Sequence, residues 1–267
     1  MSAAGRGPIA VLVAVLGVVL VVSGCARGNS EGAGAASPGL PKYYSAADLL
    51  TVVAARQRAD RTAVLRLSGR VDGPSGPTTL GGDGSLRIEP TGGVSAQFTQ
   101  TLTAPGGTPQ TARFVVTGSG QVFRDTGGSW TRVDHASTGT PDKTLATTAA
   151  NVADTADPTA NLARYSDAAL IADAVDQPVD GVAAVRYLVV VDLVRAADLQ
   201  TDPIIKAELR SQVDGGLTRI SSTLWVDAAN RPLRSENRQA LPGIGTLTLT
   251  ADYRDWGAPV SIAAPSL

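Results

Sequence analysis

Side-chain catalysis needs a nucleophile, a base or a set of metal ligands, and this 267-residue chain offers few of any. Its one histidine, His135, lies in the polar stretch "RVDHASTGT". Asp134 beside it completes the residue types of a base and its orienting carboxylate. Neighbours on a loop rarely point at each other, however, and no G-x-S-x-G nucleophile elbow accompanies them. A structural zinc needs four Cys or His ligands and a His-based catalytic site at least two histidines, so one His and one Cys exclude both. Carboxylates recur in "VDAAN", "DYRDWG" and "ADTADP". Acid–base work needs two carboxyls about 5–9 Å apart across a cleft, whereas aspartate in such stretches is ordinary turn chemistry. The glycines of "GGDGS" and "TGGVS" read as turns between strands, not as the strand-to-helix junction of a phosphate loop. No catalytic residue, metal or cofactor is expected, and the chain does not read as an enzyme. The one thiol, Cys25, remains.

Cys25 closes an apolar run. Arg6 is the only charged side chain before it, and the 14 residues from Ile9 to Val22 are apolar or small, followed by Ser23 and Gly24. That is the layout of an export signal, and it is short of the roughly 20 apolar residues a spanning helix needs. Val22-Ser23-Gly24-Cys25 resembles the lipobox of bacterial lipoproteins. The resemblance implies that the sulfur of Cys25 is acylated and that residues 1–24 are removed as a lipoprotein signal peptide. The alternative is an uncleaved membrane helix with a buried thiol. An acylated Cys25 places the protein on the cell membrane, lipid-anchored on the extracytoplasmic face, since two or three acyl chains hold durably where one does so marginally. Residues 25–44, rich in Gly, Ala, Ser and Pro, read as a flexible tether with a reach of about 25 Å.

Residues 45–267 suffice for one domain. Ser45 and Asp48 have capping-box spacing, and Leu49, Val52 and Val53 recur at helical intervals, which predicts a helix over 46–58. The period then changes to two. Leu65, Leu67 and Val71 alternate with Arg66, Ser68 and Arg70, and similar alternation follows in "GSLRIEP", "GVSAQFTQTLTAP", "TARFVVTG", "QVFRD" and "SWTRVD". "PDKTLATTAANV" and "DPTANLARYSDAALIADAV" read as helices, the second capped by Asp157 and opened by Pro158. Strands resume with "GVAAVRYLVVVDL". A helix from Pro203 to about Gly215 follows, then a hairpin turning at Ala228–Arg231 and a last strand, "GIGTLTLTADYRDWG". The fold class is α+β: a strongly curved antiparallel half-barrel sheet of about ten strands with helices over its concave face.

A formal net charge of −1 and 4% aromatic residues exclude a nucleic-acid partner, which needs a clustered basic surface or stacking platforms. Strands with one dry face and weakly amphipathic helices suit a cavity lined by Leu65, Leu67, Phe98, Phe114, Val116, Leu162, Tyr187, Val189, Val191, Leu224, Leu247 and Leu249. The same residues also suit a close-packed core.

The closing stretch "DYRDWGAPVSI", an aromatic-x-x-Trp-Gly-x-Pro-Val-x-Ile pattern, and the hairpin "TLWVDAANRPLRSEN" join the lipobox in pointing to a family. Together they resemble the LppX/LprG family of actinobacterial lipoproteins and, more distantly, the LolA/LolB lipoprotein carriers. Tyr253, Trp256, Gly257, Pro259 and Val260 match the closing motif. The resemblance implies a LolA-like fold whose cavity takes the acyl chains of lipids or glycolipids and carries them between membranes. The protein would act as a monomer, held on the membrane through acylated Cys25, with an envelope transporter as a further partner. A lipid-responsive sensor or scaffold that binds an envelope protein is the alternative.

Overall fold

A computed structural model describes residues 39–133 and 157–267, apart from 75, 91, 126 and 242–244. Cys25, the signal segment, His135 and the expected helix "PDKTLATTAANV" lie outside the described residues. The chain opens with helix α1 (Ala46–Asp60) and continues through strands β1 (Thr62–Gly73), β2 (Gly76–Ile88), β3 (Val94–Thr103), β4 (Gln110–Val116), β5 (Val122–Asp125) and β6 (Trp130–Val133). Helix α2 (Pro158–Ala163) and a 3₁₀ turn (Ser166–Ala168) lead into β7 (Ala169–Asp176) and β8 (Ala184–Asp192). Helices α3 (Leu193–Leu199) and α4 (Pro203–Asp214) precede β9 (Arg219–Asp227), β10 (Pro232–Leu241) and β11 (Gly245–Arg254). The strands form one antiparallel sheet in the order β6-β5-β4-β3-β2-β1-β11-β10-β9-β8-β7, so β1 and β11, the two ends of the body's chain, meet in its middle.

Register joins the strands into two faces, because residues opposite one another in neighbouring strands point the same way. Phe114 lies opposite Phe98, Phe98 opposite Gly84, Gly84 opposite Leu65 and Leu65 opposite Tyr253. On the other half, Ala251 faces Ser235, Ser235 faces Leu224, and Leu224 faces Tyr187. Both halves belong to one apolar face. The opposite face carries the charged side chains in its middle strands. Across it Arg234, Asp252, Arg66 and Asp83 follow one another strand by strand, with Arg234–Asp252 at 2.5 Å and Arg66–Asp83 at 2.9 Å, and Arg113–Asp125 adds a pair at 3.2 Å. Toward the β4–β5 end the C-terminal segment covers part of this second face, where Ile262 is buried on Val115 and Phe123.

Two expectations change. Residues 169–176, read as the second half of a helix, form β7, which makes eleven strands where about ten were expected. This segment is rich in alanine, which favours a helix by propensity alone. The hydrogen-bond ladder to β8 outweighs that preference and sets Ile171 opposite Val189 and Ala174 opposite Tyr187. The glycines of "GGDGS" lie inside β2, not in a turn. A Cβ on Gly84 would sit 2.2 Å from the Gln97 carbonyl oxygen and 2.5 Å from the Phe98 Cβ, so the close approach of β3 requires glycine there.

The start of the body also lies earlier than composition suggests. Leu40 N–H and Lys42 Nζ both donate to the Asp176 carboxylate, at 3.1 and 2.6 Å. Tyr43 donates its N–H to the Tyr187 hydroxyl (3.1 Å) and its own hydroxyl to Asn230 Oδ1 (3.0 Å). Gly39–Tyr44, assigned to the tether by composition, are thus held on the sheet. Helix α1 begins where Ser45 Oγ accepts from Asp48 N–H. It ends at Asp60, whose carboxylate takes Arg56 at 2.6 and 2.8 Å and Arg231 of the β9–β10 turn at 2.8 Å. Burial works upward on the Asp60 pKa, but the hydrogen bonds from Arg231 and Arg56 together outweigh it and hold the carboxyl below its usual 3.8. The stabilisation is therefore complete above pH 3.8 and is lost as pH falls below it, through the folded-state value. An Asp60→Asn chain is expected to be less stable by about 1 kcal/mol at neutral pH and to lose that difference in acid, below pH 3.8. Urea titrations at the two pH values check this; an undiminished difference in acid would refute it.

Candidate functional site

The apolar face is packed in two places. Toward β1–β5 and β11, a cluster includes Leu65, Leu67, Phe98, Phe114, Val116 and Tyr253, all buried. The Phe98 and Phe114 rings stack at 5.5 Å. Tyr253 stacks on Trp256 at 5.8 Å and shares a hydrogen bond with Ser235 Oγ at 3.0 Å, while burial pushes its phenol pKa upward. Trp256 donates to the Pro232 carbonyl at 2.8 Å, and Gly257 N–H donates to the Thr62 carbonyl at 2.9 Å. The closing motif thereby ties the end of β11 to β10 and to the start of β1. Toward β8 and β9, a second cluster joins Leu162, Tyr187, Val189, Val191 and Leu224 to Leu49, Leu50 and Val53 of α1 and to Leu193 and Leu209 of α3 and α4.

Between these helices and the ends of β8–β10 lies a cavity of about 300 Å³. Its lining mixes apolar side chains, Leu162, Tyr165, Val191, Leu193, Leu209 and Ile220, with the polar residues Asp157, Gln212, Asn237, Arg238 and Gln239. Local chemistry explains the placement. Asp192 Oδ1 accepts the Arg195 N–H at 3.0 Å, which turns the chain out of β8 into α3. Asp202 caps α4 by accepting from Ile204 and Ile205 N–H, Pro203 occupies its first turn, and Gly215–Gly216 close it. Leu209 is the one fully buried side chain of α4, so that helix is the most lightly held of those around the cavity. Two further hollows, of about 500 Å³ beside Glu89 and Ile262 and about 440 Å³ beside Trp256 and Asp180, are more open to solvent.

Inside the helical layer, Thr159 Oγ1 donates toward Gln57 Oε1 (3.0 Å) and Asp157 Oδ1 (2.7 Å), and Thr159 N–H also reaches Asp157 (3.0 Å). Gln57 Nε2 is buried with no hydrogen-bond partner among the described residues. Among the described residues no group of three or more His, Cys, Asp or Glu is placed to hold a metal, and no helix is long and apolar enough to cross a membrane.

Of the residues expected to line a cavity, Leu162 and Val191 do so. Leu65, Leu67, Phe98, Phe114, Val116, Tyr187, Val189 and Leu224 sit on the same sheet face, within the two clusters. Leu247 and Leu249 share that face, half-buried, opposite Gln239 and Asn237. The sequence reading missed Leu209, Ile220 and the polar lining. A signal for the polar lining existed: Asn237 and Gln239 share the face of Ser235 and alternate with Glu236 and the exposed Arg238, so they put amides where a core strand would put apolar groups.

No family model and no curated protein matches the chain. Among solved structures it is similar to LprF from Mycobacterium bovis, at 18% identity over 83% of this chain and 97% of that one, with a TM-score of 0.48. LprF belongs to the LppX/LprG group that the sequence resembles. The chain is also similar to MucB, at 17% identity over 83% of this chain and 63% of that one, with a TM-score of 0.41. A putative outer membrane lipoprotein-sorting protein domain from Vibrio parahaemolyticus matches at 10% identity over 78% and 90% of the two chains, with a TM-score of 0.25.

Proposed function

We propose that this chain is an envelope lipoprotein that takes up the acyl chains of lipids or glycolipids between its helices and the apolar face of its sheet and carries them between membranes. The observation that supports the reading is the cavity between the helices and the ends of β8–β10, whose lining combines hydrocarbon side chains with amides and charged residues. An amphiphile matches that mixture and a uniformly polar metabolite does not. A pair of 16-carbon chains represents roughly 25 kcal/mol of transfer free energy, so a carrier has to keep them dry throughout. At about 300 Å³ the cavity is at the small end of ligand pockets, and displacement of the lightly held α4 would enlarge it. In this reading the sheet is the curved half-barrel expected from the sequence, the helices cover its hollow, and acylated Cys25 holds the body at the membrane.

The test is organic extraction of protein purified from its own host, followed by mass spectrometry. About one lipid per protein is expected. Protein that is folded and free of lipid would overturn the carrier role.

A further inference from the structure

Gln100 of β3 puts an amide on the apolar face of the sheet, far from the cavity under α3 and α4. The residue is 3% exposed, and its Oε1 is buried with no hydrogen-bond partner among the described residues. Register explains the isolation. Gln100 lies opposite Gly82 of β2 and Ala112 of β4 and shares its face with Phe98 and Leu102, and none of these four carries a side-chain donor. A buried acceptor left in this way is costly, and an apolar side chain of similar size would avoid the cost. A lone water is a poor remedy, because a buried water needs about two to four polar partners and these neighbours supply none. Elsewhere on the same face the buried Ser235 and Tyr253 hydroxyls satisfy each other at 3.0 Å.

The apolar surface beside the amide leads toward the cavity. Leu102 lies opposite Leu80, Leu80 opposite Gly69, Gly69 opposite Leu249, and Leu249 opposite the cavity-lining Asn237. The three leucines are half-buried. Side-chain atoms of Leu249 and Leu80 lie 3.1 and 3.3 Å from where a Cβ on Gly69 would sit, so the two meet over that glycine. From β3 to β10 is four strand spacings, roughly 19 Å, within reach of an extended 16-carbon chain.

We infer that Gln100 is a specificity residue, whose Oε1 accepts a hydrogen bond from an uncharged hydroxyl on the bound amphiphile while the hydrocarbon lies along Leu102, Leu80 and Leu249 toward the cavity. This rests on the acyl-chain reading and adds to it a preference for hydroxyl-bearing lipids. A charged group is excluded beside Gln100, since its four neighbours offer no counter-ion and burying an unpaired charge costs far more than burying a hydroxyl.

Full-length protein in phosphatidylcholine vesicles can be exposed to a 16-carbon primary alcohol with a photoreactive group beside the hydroxyl, or to its methyl ether, which cannot donate. Labelling is read on peptides from residues 94–116. The alcohol is expected to label them about tenfold more strongly than the ether. Gln100→Leu should bring the alcohol down to the level of the ether, leave the ether unchanged, and keep or raise the urea midpoint, because it removes an unpaired buried amide. Equal labelling of the wild type by alcohol and ether, an equal loss of both in Gln100→Leu, or labelling confined to other peptides would overturn the hydroxyl assignment while the acyl-chain reading stands. Labelling of no peptide by either probe would overturn the acyl-chain reading itself. A lower urea midpoint in both Gln100→Leu and Gln100→Met would mean that the amide already has its partner within the protein, which also overturns the inference.

Discussion

An Ile220→Trp chain is expected to fold and to carry at least tenfold less lipid than the wild type. Ile220 is half-buried in β9 opposite Val191, and both line the cavity under α3 and α4. Strands accept tryptophan readily. Added bulk here enters open space, so the 1–3 kcal/mol penalty of overpacking a filled core is largely avoided. An indole in the cavity displaces several methylenes of a ligand at about 0.8 kcal/mol each, and two of them suffice for a tenfold loss. Lipid per protein after extraction and the unfolding midpoint are the two measurements. Full lipid occupancy in a well-folded variant would place the acyl chains elsewhere.

The second large effect concerns stability. Phe114→Ala should cost about 3–5 kcal/mol, a large share of the roughly 5–15 kcal/mol that holds a typical domain together. Phe114 is fully buried, stacked on Phe98, and belongs to the same buried cluster as Leu65, Val116 and Val122. A urea titration of wild type and variant measures it. The magnitude also separates two roles for the β1–β5 side of the apolar face. Loss near the upper value means close-packed neighbours that cannot relax into the gap, whereas loss below about 1 kcal/mol means the ring borders space that a ligand fills.

Where period and capping carried the information, the elements followed. Ser45 and Asp48 start α1, Pro203 opens α4, and the period-two alternation of Leu65, Leu67 and Ala251 places one whole sheet face. β7 was illegible because alanine has no strand signature and its state depends on β8, a long-range pairing. Gly82 and Gly84 misled for a related reason: glycine marks turns by conformational freedom, but at these positions of β2 it is required by the nearness of β3. The candidate site was half-legible. Leu162 and Val191 followed from periodicity, but Leu209, Ile220 and Asn237 come together only when α4 folds back over the ends of β8–β10.

The row of alternating charges across the charged face has a kinetic consequence. Exposed pairs such as Arg66–Asp83 contribute little to the final stability, because water screens them. During assembly they act as an alignment key. If β1 slid two residues along β11, Arg66 would leave Asp252 for Thr250 or for Arg254, a neutral or a repelling neighbour, although the dry and wet faces would still match. The sheet can thus reject the misalignment that hydrophobic patterning alone would tolerate, at the very junction where the first and last strands of the body must find each other.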